Sequence, residues 1–440
     1  MGLTAMVVSA PALDEALARV VGREHLTSDP AALARHAIDG VVPRWVARPG
    51  DVDGVSALMA LAHGDGLAVA PRGSGAALSL GNPPRRLDLV LDLTRLRAVT
   101  EYVPDDLVAS VQAGLPLNAL AGRLSGNGQM LALDPIGGAS RTIGGVLATN
   151  ASGPRRFRHG AGRDLLLGVR FVQADGTVTW GGAKVVKSVT GYEVPKLLVG
   201  SLGTLAVIVE ATLRLCPLPS ATGSWLFALP SGEAAAGLLA ALLDSSLEPD
   251  RVTLLAGGAT RVCGLSAPEL AIMVSVGSVE EAVESQGAAL ARLASAHDAR
   301  ARAVPGSLWD ALAEPLAPIL LKVLCEPKRV VFWLGELERL SSRLGLAASS
   351  LVQPGNGVLN VALEGEVPGA AFAGNLLGPL REGLGPEGGG VVVERAPAHL
   401  KAGFDVWGPI HPELLAIMSR LKQQFDPSGI LNPGRFVGGL

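Results

Sequence analysis

Thiols are scarce in this sequence, and so are long apolar runs and lysine. Only Cys216, Cys263 and Cys325 occur among 440 residues, far apart and none in a Cys-x-x-Cys pair. They cannot by themselves hold an iron–sulfur cluster or a structural zinc. Three free thiols suit a reducing cytoplasm. Lysine is outnumbered by arginine, 7 to 30, which reflects a GC-rich genome more than a phosphate-binding surface. The net charge of −3 and pI near 6.2 leave no electrostatic footprint for nucleic acid. Apolar residues make up 48% and mean hydropathy is +0.37, but they are dispersed. No run approaches the ~18 residues that a membrane-spanning helix needs. The opening "MGLTAMVVSAPALDEALARV" has no basic region ahead of its apolar residues, so no signal peptide is expected. There is no internal repeat and no long low-complexity stretch.

The length is enough for two or three domains with their own cores. Residues 41–70 read as a β-α-β unit. "VVPRWVARP" predicts a strand, and Val52, Val55, Leu58, Met59 and Ala62 form one helical stripe. Gly64 and Gly66 stop that helix, and "LAVAP" is a short buried strand. Further strands are expected at "LDLVLDL" and "DDLVASVQAG", then a helix with Pro116 near its first turn. Residues 132–164 are glycine-rich and poor in strand pattern. Strands resume at "LLGVRFVQADGTVTW", turning at Asp175-Gly176, and end with "LAVIVEATLRL". "CPLPS", 216–220, marks the best domain boundary. Beyond it, strands alternate with helices near 231–245 and 279–297, the grammar of an α+β sheet with helices on one face.

A glycine-rich loop, "RGSGAALSLGNPP", follows the strand that ends near Pro71. Glycines let backbone N–H groups close on an anion, so the loop suits phosphate; it equally suits a plain surface turn. No Gly-Lys-Ser/Thr follows, which excludes a Walker A loop. The spacing and the lack of an amphipathic helix directly behind it exclude a Rossmann fingerprint. Two more elements follow in order: "ASRTIGGVLATNASGP" at 139–154, and "TGYEVPKLLVGSLGTLAVIVEATLRL" at 190–215.

That order of motifs resembles the vanillyl-alcohol oxidase superfamily, flavoproteins with a PCMH-type FAD domain. The likeness covers about residues 40–218 and returns at "FDPSGILNPGRF", 425–436. It implies an α+β chain: a helical lead-in over 1–39, then a PCMH-type FAD-binding domain of two α+β subdomains over 40–218. A ferredoxin-like α+β cap domain over 219–440 follows, with a C-terminal segment returning to the flavin. It implies that the backbone of Arg72, Gly73, Ser74, Gly75, Ala76 and Ala77 cradles the FAD pyrophosphate. Thr142, Gly144, Gly145, Asn150, Ser152 and Gly153 would lie along the ribityl chain and isoalloxazine. Ile208 would meet the adenine end, and Asn432 would approach the flavin ring. Relatives with covalent flavin often carry histidine where Ala76 stands, so noncovalent FAD is expected. Val146 departs from the asparagine that many relatives have after the glycine pair.

Within this superfamily the D-2-hydroxyacid dehydrogenases carry His-x-Gly-Asp-Gly-Asn-x-His, with a Glu-His pair about forty residues on. Here "QPGNGVLN" keeps the glycines and the length, and Glu394 follows Gln353 by 41 positions. Gln353 and Asn360 replace the imidazoles, and amides are poor ligands for a transition metal. Arg395 replaces the catalytic histidine and, being always protonated, cannot serve as a base. The substrate arginine that follows a Leu-Trp-x-x pattern is also missing, because "LWDAL" has Leu312 there. The resemblance thus implies a degenerate metal and base site at Gln353, Asn360, Glu394 and Arg395 with no metal. A plain hairpin turn would explain the glycines but not the Glu394 spacing.

The stretches "SGPRRFRHGAGRDLLLGVRFV" and "GGAKVVKSVTGYEVPKLLVGSLGTL" most resemble the second flavin-binding subunit, E, of bacterial glycolate oxidase. That resemblance implies an oxidoreductase subunit acting through FAD with a partner flavoprotein and an iron–sulfur subunit. It implies a small 2-hydroxy acid as substrate of the complex and a place in the cytoplasm, or peripheral to the inner membrane through partners. A stand-alone FAD oxidase or dehydrogenase using another base is the rival, and a flavin-binding structural subunit without turnover is a third class. His159 either faces the flavin or is hydrogen-bonded elsewhere. Lys187 and Tyr192 are candidates to shape the flavin pocket. His399 is not assigned as a replacement base, and His411 is expected near a helix start. The arginine pairs at 85–86 and 155–156 read as solvated faces.

Overall fold

The computed structural model describes residues 10–183, 192–265, 270–312 and 317–440. Its first sheet has strands β1 (Leu26–Thr27), β2 (Trp45–Ala47), β3 (Val69–Arg72) and β4 (Leu89–Asp92), in the order β1-β2-β4-β3. β2 and β3 flank β4 in parallel, and β1 closes the edge antiparallel. The parallel pairing requires a crossover, supplied by the helix Val52–Gly64. Asp51 caps that helix by accepting from Gly54 N at 2.7 Å, a contact worth about 1 kcal/mol. The predicted stripe Val52, Val55, Leu58, Met59 and Ala62 is buried against the sheet. The lead-in does not stand apart. It supplies β1, and Leu13 and Leu17 of its helix Ala10–Val21 join the same core.

β5 (Val99–Val103), β6 (Val108–Gln112), β7 (Gln129–Met130), β8 (Leu166–Val172), β9 (Val178–Gly182), β10 (Val207–Arg214) and β11 (Cys216–Pro217) follow. Five of them form an antiparallel sheet, β5-β6-β10-β8-β9, and β7 pairs with β11. The region without strand pattern holds the short helix Ile143–Thr149. Thr142 caps it, and Ile143, Val146 and Leu147 are buried. Val146, read as a departure at the flavin, therefore packs into the core of this sheet.

The C-terminal half is built on eight antiparallel strands: β12 (Ala221–Leu229), β13 (Arg251–Gly257), β14 (Leu270–Ser278), β15 (Arg300–Ala303), β16 (Ile319–Leu324), β17 (Ala347–Gln353), β18 (Val358–Glu364) and β19 (Gly390–Arg395). Their order is β15-β12-β14-β13-β17-β18-β16-β19. The helices Gly232–Leu243, Glu280–Ser295, Val330–Arg343 and Gly378–Leu384 share one core with one face of this sheet. Alternation decides what faces away. Leu321 and Val323, Leu359 and Val361, and Val391 and Val393 enter that core. Lys322, Asn360 and Glu394, at the alternate positions, point to the opposite face. That face covers the glycine motifs.

The chain ends by going back. After the helix Pro412–Phe425, Val69 N donates to Ile430 O at 2.7 Å and Asn432 N to Val69 O at 2.9 Å. Residues 430–432 thereby pair with β3 beside the glycine loop. Among the described residues no helix is long and apolar enough to cross a membrane.

Candidate functional site

Two adjoining cavities run between the glycine motifs and the cap sheet. The first is lined by Arg72, Gly73, Ser74, Gly75, Ala76 and Ala77 from the loop after β3. Thr142, Gly144, Gly145, Ile208 and Asn432 complete the expected set there. The walls approach too closely for side chains. A β-carbon on Gly73 would fall 2.0 Å from Thr142 Oγ1, and one on Gly144 would fall 2.7 Å from the Ala113 methyl. Gly75 has φ +85°, a conformation that glycine tolerates and L side chains rarely adopt. Arg72 sits at the start of the loop, 3.8 Å from Asp92 on β4, and its buried Nε has no hydrogen-bond partner. A backbone-walled groove with a guanidinium N–H to spare suits a diphosphate.

The second cavity shares Ala76, Ala77, Arg141 and Thr149 with the first and adds Ser152. Its roof is the helix-free face of the cap sheet, with Lys322, Leu351, Asn360, Glu394 and Arg395. Register explains the grouping. Asn360 lies between Leu351 on one neighbouring strand and Lys322 on the other, and Glu394 is on the next strand out. Lys322 Nζ is 3.6 Å from Glu394 Oε1. Asn360 Nδ2 donates to Leu351 O at 3.3 Å.

Of the expected degenerate set, Asn360, Glu394 and Arg395 therefore share a cavity. Gln353 does not. It is buried on the far side of the Leu351–Asn360 rung and lines a neighbouring cavity. Lys322 joins the site without any signal in the motif reading. It is 31 residues before Gln353 and only strand pairing brings it to Asn360. Among the described residues no group of three or more His, Cys, Asp or Glu side chains is placed to hold a metal.

Other residues fall differently from their sequence reading. Asn150 and Gly153 do not line either cavity. Asn150 ends the helix Ile143–Thr149 at φ 48°, and a β-carbon on Gly153 would lie 1.7 Å from Asp134 O. Both shape the wall behind the cavity. Arg155 is not part of a solvated face: its Nε is 3.8 Å from Asp250, while Arg85 and Arg86 are exposed as read. His159 Nε2 donates to Asp250 Oδ1 at 2.7 Å, away from both cavities. Tyr192 is 94% exposed, so it does not shape the pocket. Lys187 lies outside the described residues. His411 caps the helix Pro412–Phe425. Arg435, absent from the motif reading, is buried in the first cavity's wall and holds the carbonyls of Leu78 and Leu80. Burial pushes its guanidinium down to about 10.

The sequence matches the family described as FAD binding domain over residues 43–182 and the C-terminal domain of FAD linked oxidases over 409–436. It is 35% identical to D-2-hydroxyglutarate dehydrogenase of Xanthomonas citri pv. viticola over 221 residues, 49% of this chain and 47% of that one. That match spans about half the length of the relative. Glycolate oxidase subunit GlcD of Bacillus subtilis is 25% identical over 96% of each chain. Subunit GlcE of Escherichia coli is 26% identical over 84% of this chain and 92% of its own. In structure, p-cresol methylhydroxylase superposes with a TM-score of 0.76 at 15% identity, over 96% of this chain and 95% of that one.

The fold is thus that of the PCMH-type, or vanillyl-alcohol oxidase-type, flavoproteins. The chain carries the FAD binding domain and the C-terminal domain of FAD linked oxidases, and along most of its length it is similar to glycolate oxidase subunits and a D-lactate dehydrogenase. Its cofactor is FAD, and it is an FAD-dependent oxidoreductase.

Proposed function

We propose that the chain binds FAD noncovalently and serves as the E-like flavin subunit of a 2-hydroxy-acid oxidase complex, without a metal. The observation that carries this is the roof of the second cavity. At the position of one motif imidazole stands Asn360, at that of the histidine base Arg395, and Lys322 and Glu394 meet them there. Lys322 supplies the fixed positive charge that a metal would otherwise bring, and Arg395 adds a planar donor suited to a carboxylate. Glu394 is the carboxylate of this group able to take a hydroxyl proton, and Lys322 Nζ lies 3.6 Å from its Oε1. The glycine motifs would hold FAD, which would supply a hydride acceptor beside the substrate carbon. Among the described residues neither cavity is lined by a His, Cys or Tyr side chain that could bond covalently to the ring.

Asn432 stays part of the flavin wall in this reading. Its Nδ2 donates to Leu202 O at 2.8 Å, which fixes its side chain. Asn150, Ser152 and Gly153 hold the backbone beside the ring. The likeness to GlcE along most of both chains supports a subunit role, with a metal-motif flavoprotein and an iron–sulfur protein as partners.

The test is anaerobic mixing of the isolated holoprotein with D-2-hydroxy acids, alongside elemental analysis. Bleaching of the flavin, insensitive to chelators and reduced at least tenfold in rate by Glu394→Gln, is expected. One zinc or manganese per chain would overturn the metal-free reading. Bleaching only when the partner subunits are added would favour electron transfer without independent turnover.

A further inference from the structure

A third cavity, of about 480 Å³, adjoins the second. Ile136 and Leu351 line both, so the two spaces meet at those side chains. The volume is within the range of small-molecule sites and far exceeds what a two-carbon acid requires. At ~30 Å³ for each water-sized volume it holds about sixteen heavy atoms. Leu131 and Leu133 from the FAD domain face Trp309 from the cap across it.

One end is polar. Arg251 is held 3.5 Å from Asp134 and 3.6 Å from Asp250, with its guanidinium 5.1 Å from the Trp309 ring centroid. Gln353 lines the same cavity, 4% exposed, and its buried Oε1 has no hydrogen-bond partner. A buried acceptor left unpaired costs about 1–3 kcal/mol. Such a group in a cavity wall calls for a donor from whatever fills the space.

We infer that this cavity is a binding site for the substituent of the substrate, which is a 2-hydroxy acid much longer than glycolate. The chain is apolar over roughly six to ten carbons, set by the volume, and ends in a hydroxyl or similar donor that reaches Gln353 Oε1. This inference rests on the 2-hydroxy-acid reading above. The reacting end lies under Lys322 and Glu394, and the chain passes between Ile136 and Leu351.

The test uses the purified holoprotein and a graded series: glycolate, D-2-hydroxyhexanoate, D-2-hydroxyoctanoate and its 8-hydroxy derivative. The readout is the second-order rate constant for anaerobic flavin reduction. It is expected to rise with length by up to about fourfold per methylene, and again for the terminal hydroxyl. Leu133→Trp fills the cavity and should flatten the dependence on length. Ala121→Trp, at the mouth of the same cavity, serves if that variant does not fold. Gln353→Leu should remove the gain from the terminal hydroxyl but keep the rise with length. A flat or falling series, with glycolate best, overturns the inference and leaves the 2-hydroxy-acid reading standing. If no member reduces the flavin either alone or with the partner subunits added, that reading fails, and calorimetry decides the cavity alone. D-2-hydroxyoctanoate binding at least tenfold tighter than glycolate, lost in the filled variant, supports the chain site; equal affinities remove it.

Discussion

At the scale of single residues, the site depends on where side chains are missing. Gly73 and Gly144 let the two motifs touch, and Gly75 turns the loop in a conformation that is strained for other residues. Gly75→Asp tests the cradle. Its β-carbon would sit 2.9 Å from Arg72 Nε, so the new carboxylate would take that guanidinium from the cofactor. At ~5 Å from a phosphate and an effective dielectric near 20, the repulsion is about 3 kcal/mol. FAD affinity should fall by at least a hundredfold in a fluorescence titration, while the apoprotein still unfolds cooperatively. Full occupancy in a folded variant would show that the loop has another role. The glycines were legible in the sequence. Lys322 was not, because its partner Glu394 is 72 positions away and is reached only across strand β16's edge.

At the scale of elements, the returning C-terminal segment is held by one buried carboxylate. Asp426 accepts from Ile430 N at 3.1 Å and Leu431 N at 2.8 Å, and pairs with Lys422 at 2.6 Å. Lys422 also donates to Thr204 O and Leu431 O, joining the helix Pro412–Phe425 to the FAD domain. Burial lowers the Lys422 pKa, so it needs its partner to stay charged. Asp426→Ala would leave a buried ammonium and two amides unpaired, at a cost of about 3–5 kcal/mol. Urea unfolding should show that loss, and Asn432 should release flavin with it. A variant with unchanged midpoint and full FAD content would place the anchor elsewhere. "FDPSGILNPGRF" marked the segment in the sequence; the role of Asp426 needed the turn that aims two amides at it.

For the whole molecule, polar contacts that join the cap to the FAD domain include two buried groups. At one, the fully buried Lys401 of the cap pairs with Asp39 of the lead-in at 3.0 Å and reaches the carbonyls of Ser79 and Gly81. At the other, His159, Arg155 and Asp134 face Asp250 and Arg251. The Asp250 hydrogen bond, and then the Cys216 contact, raise the His159 pKa to about 9. A histidine held above its ordinary 6.5 binds a proton more tightly when folded. Its contribution is full below pH 6.5 and is lost as pH rises through 9. For a side chain 17% exposed this is about 2–3 kcal/mol. Burial raises Asp134 to about 6, so its own decline with rising pH lies lower, between about 4 and 6. Melting temperature should therefore fall between pH 6.5 and 9, and His159→Gln should flatten that slope. An unchanged slope in the variant would rule out this histidine as its source.

The sequence by itself determined the local and the ordered. The stripe of the helix Val52–Gly64, the hairpin at Asp175-Gly176, the glycine loop and the returning terminal segment rest on short-range periodicity and backbone rules. Their order along the chain sufficed for the flavin fold. Only the tertiary structure decided which side chains share a cavity. Strand alternation turned Lys322, Asn360 and Glu394 to one face, and strand pairing set Gln353 two positions along from the Leu351–Asn360 pair, beside a different space. Arg155 reads as a surface residue until the cap brings Asp250 to it. These are contacts between residues 30 to 100 positions apart. Spacing along a chain does not encode them, because hydrogen-bond register and sheet order, rather than local propensity, fix who meets whom.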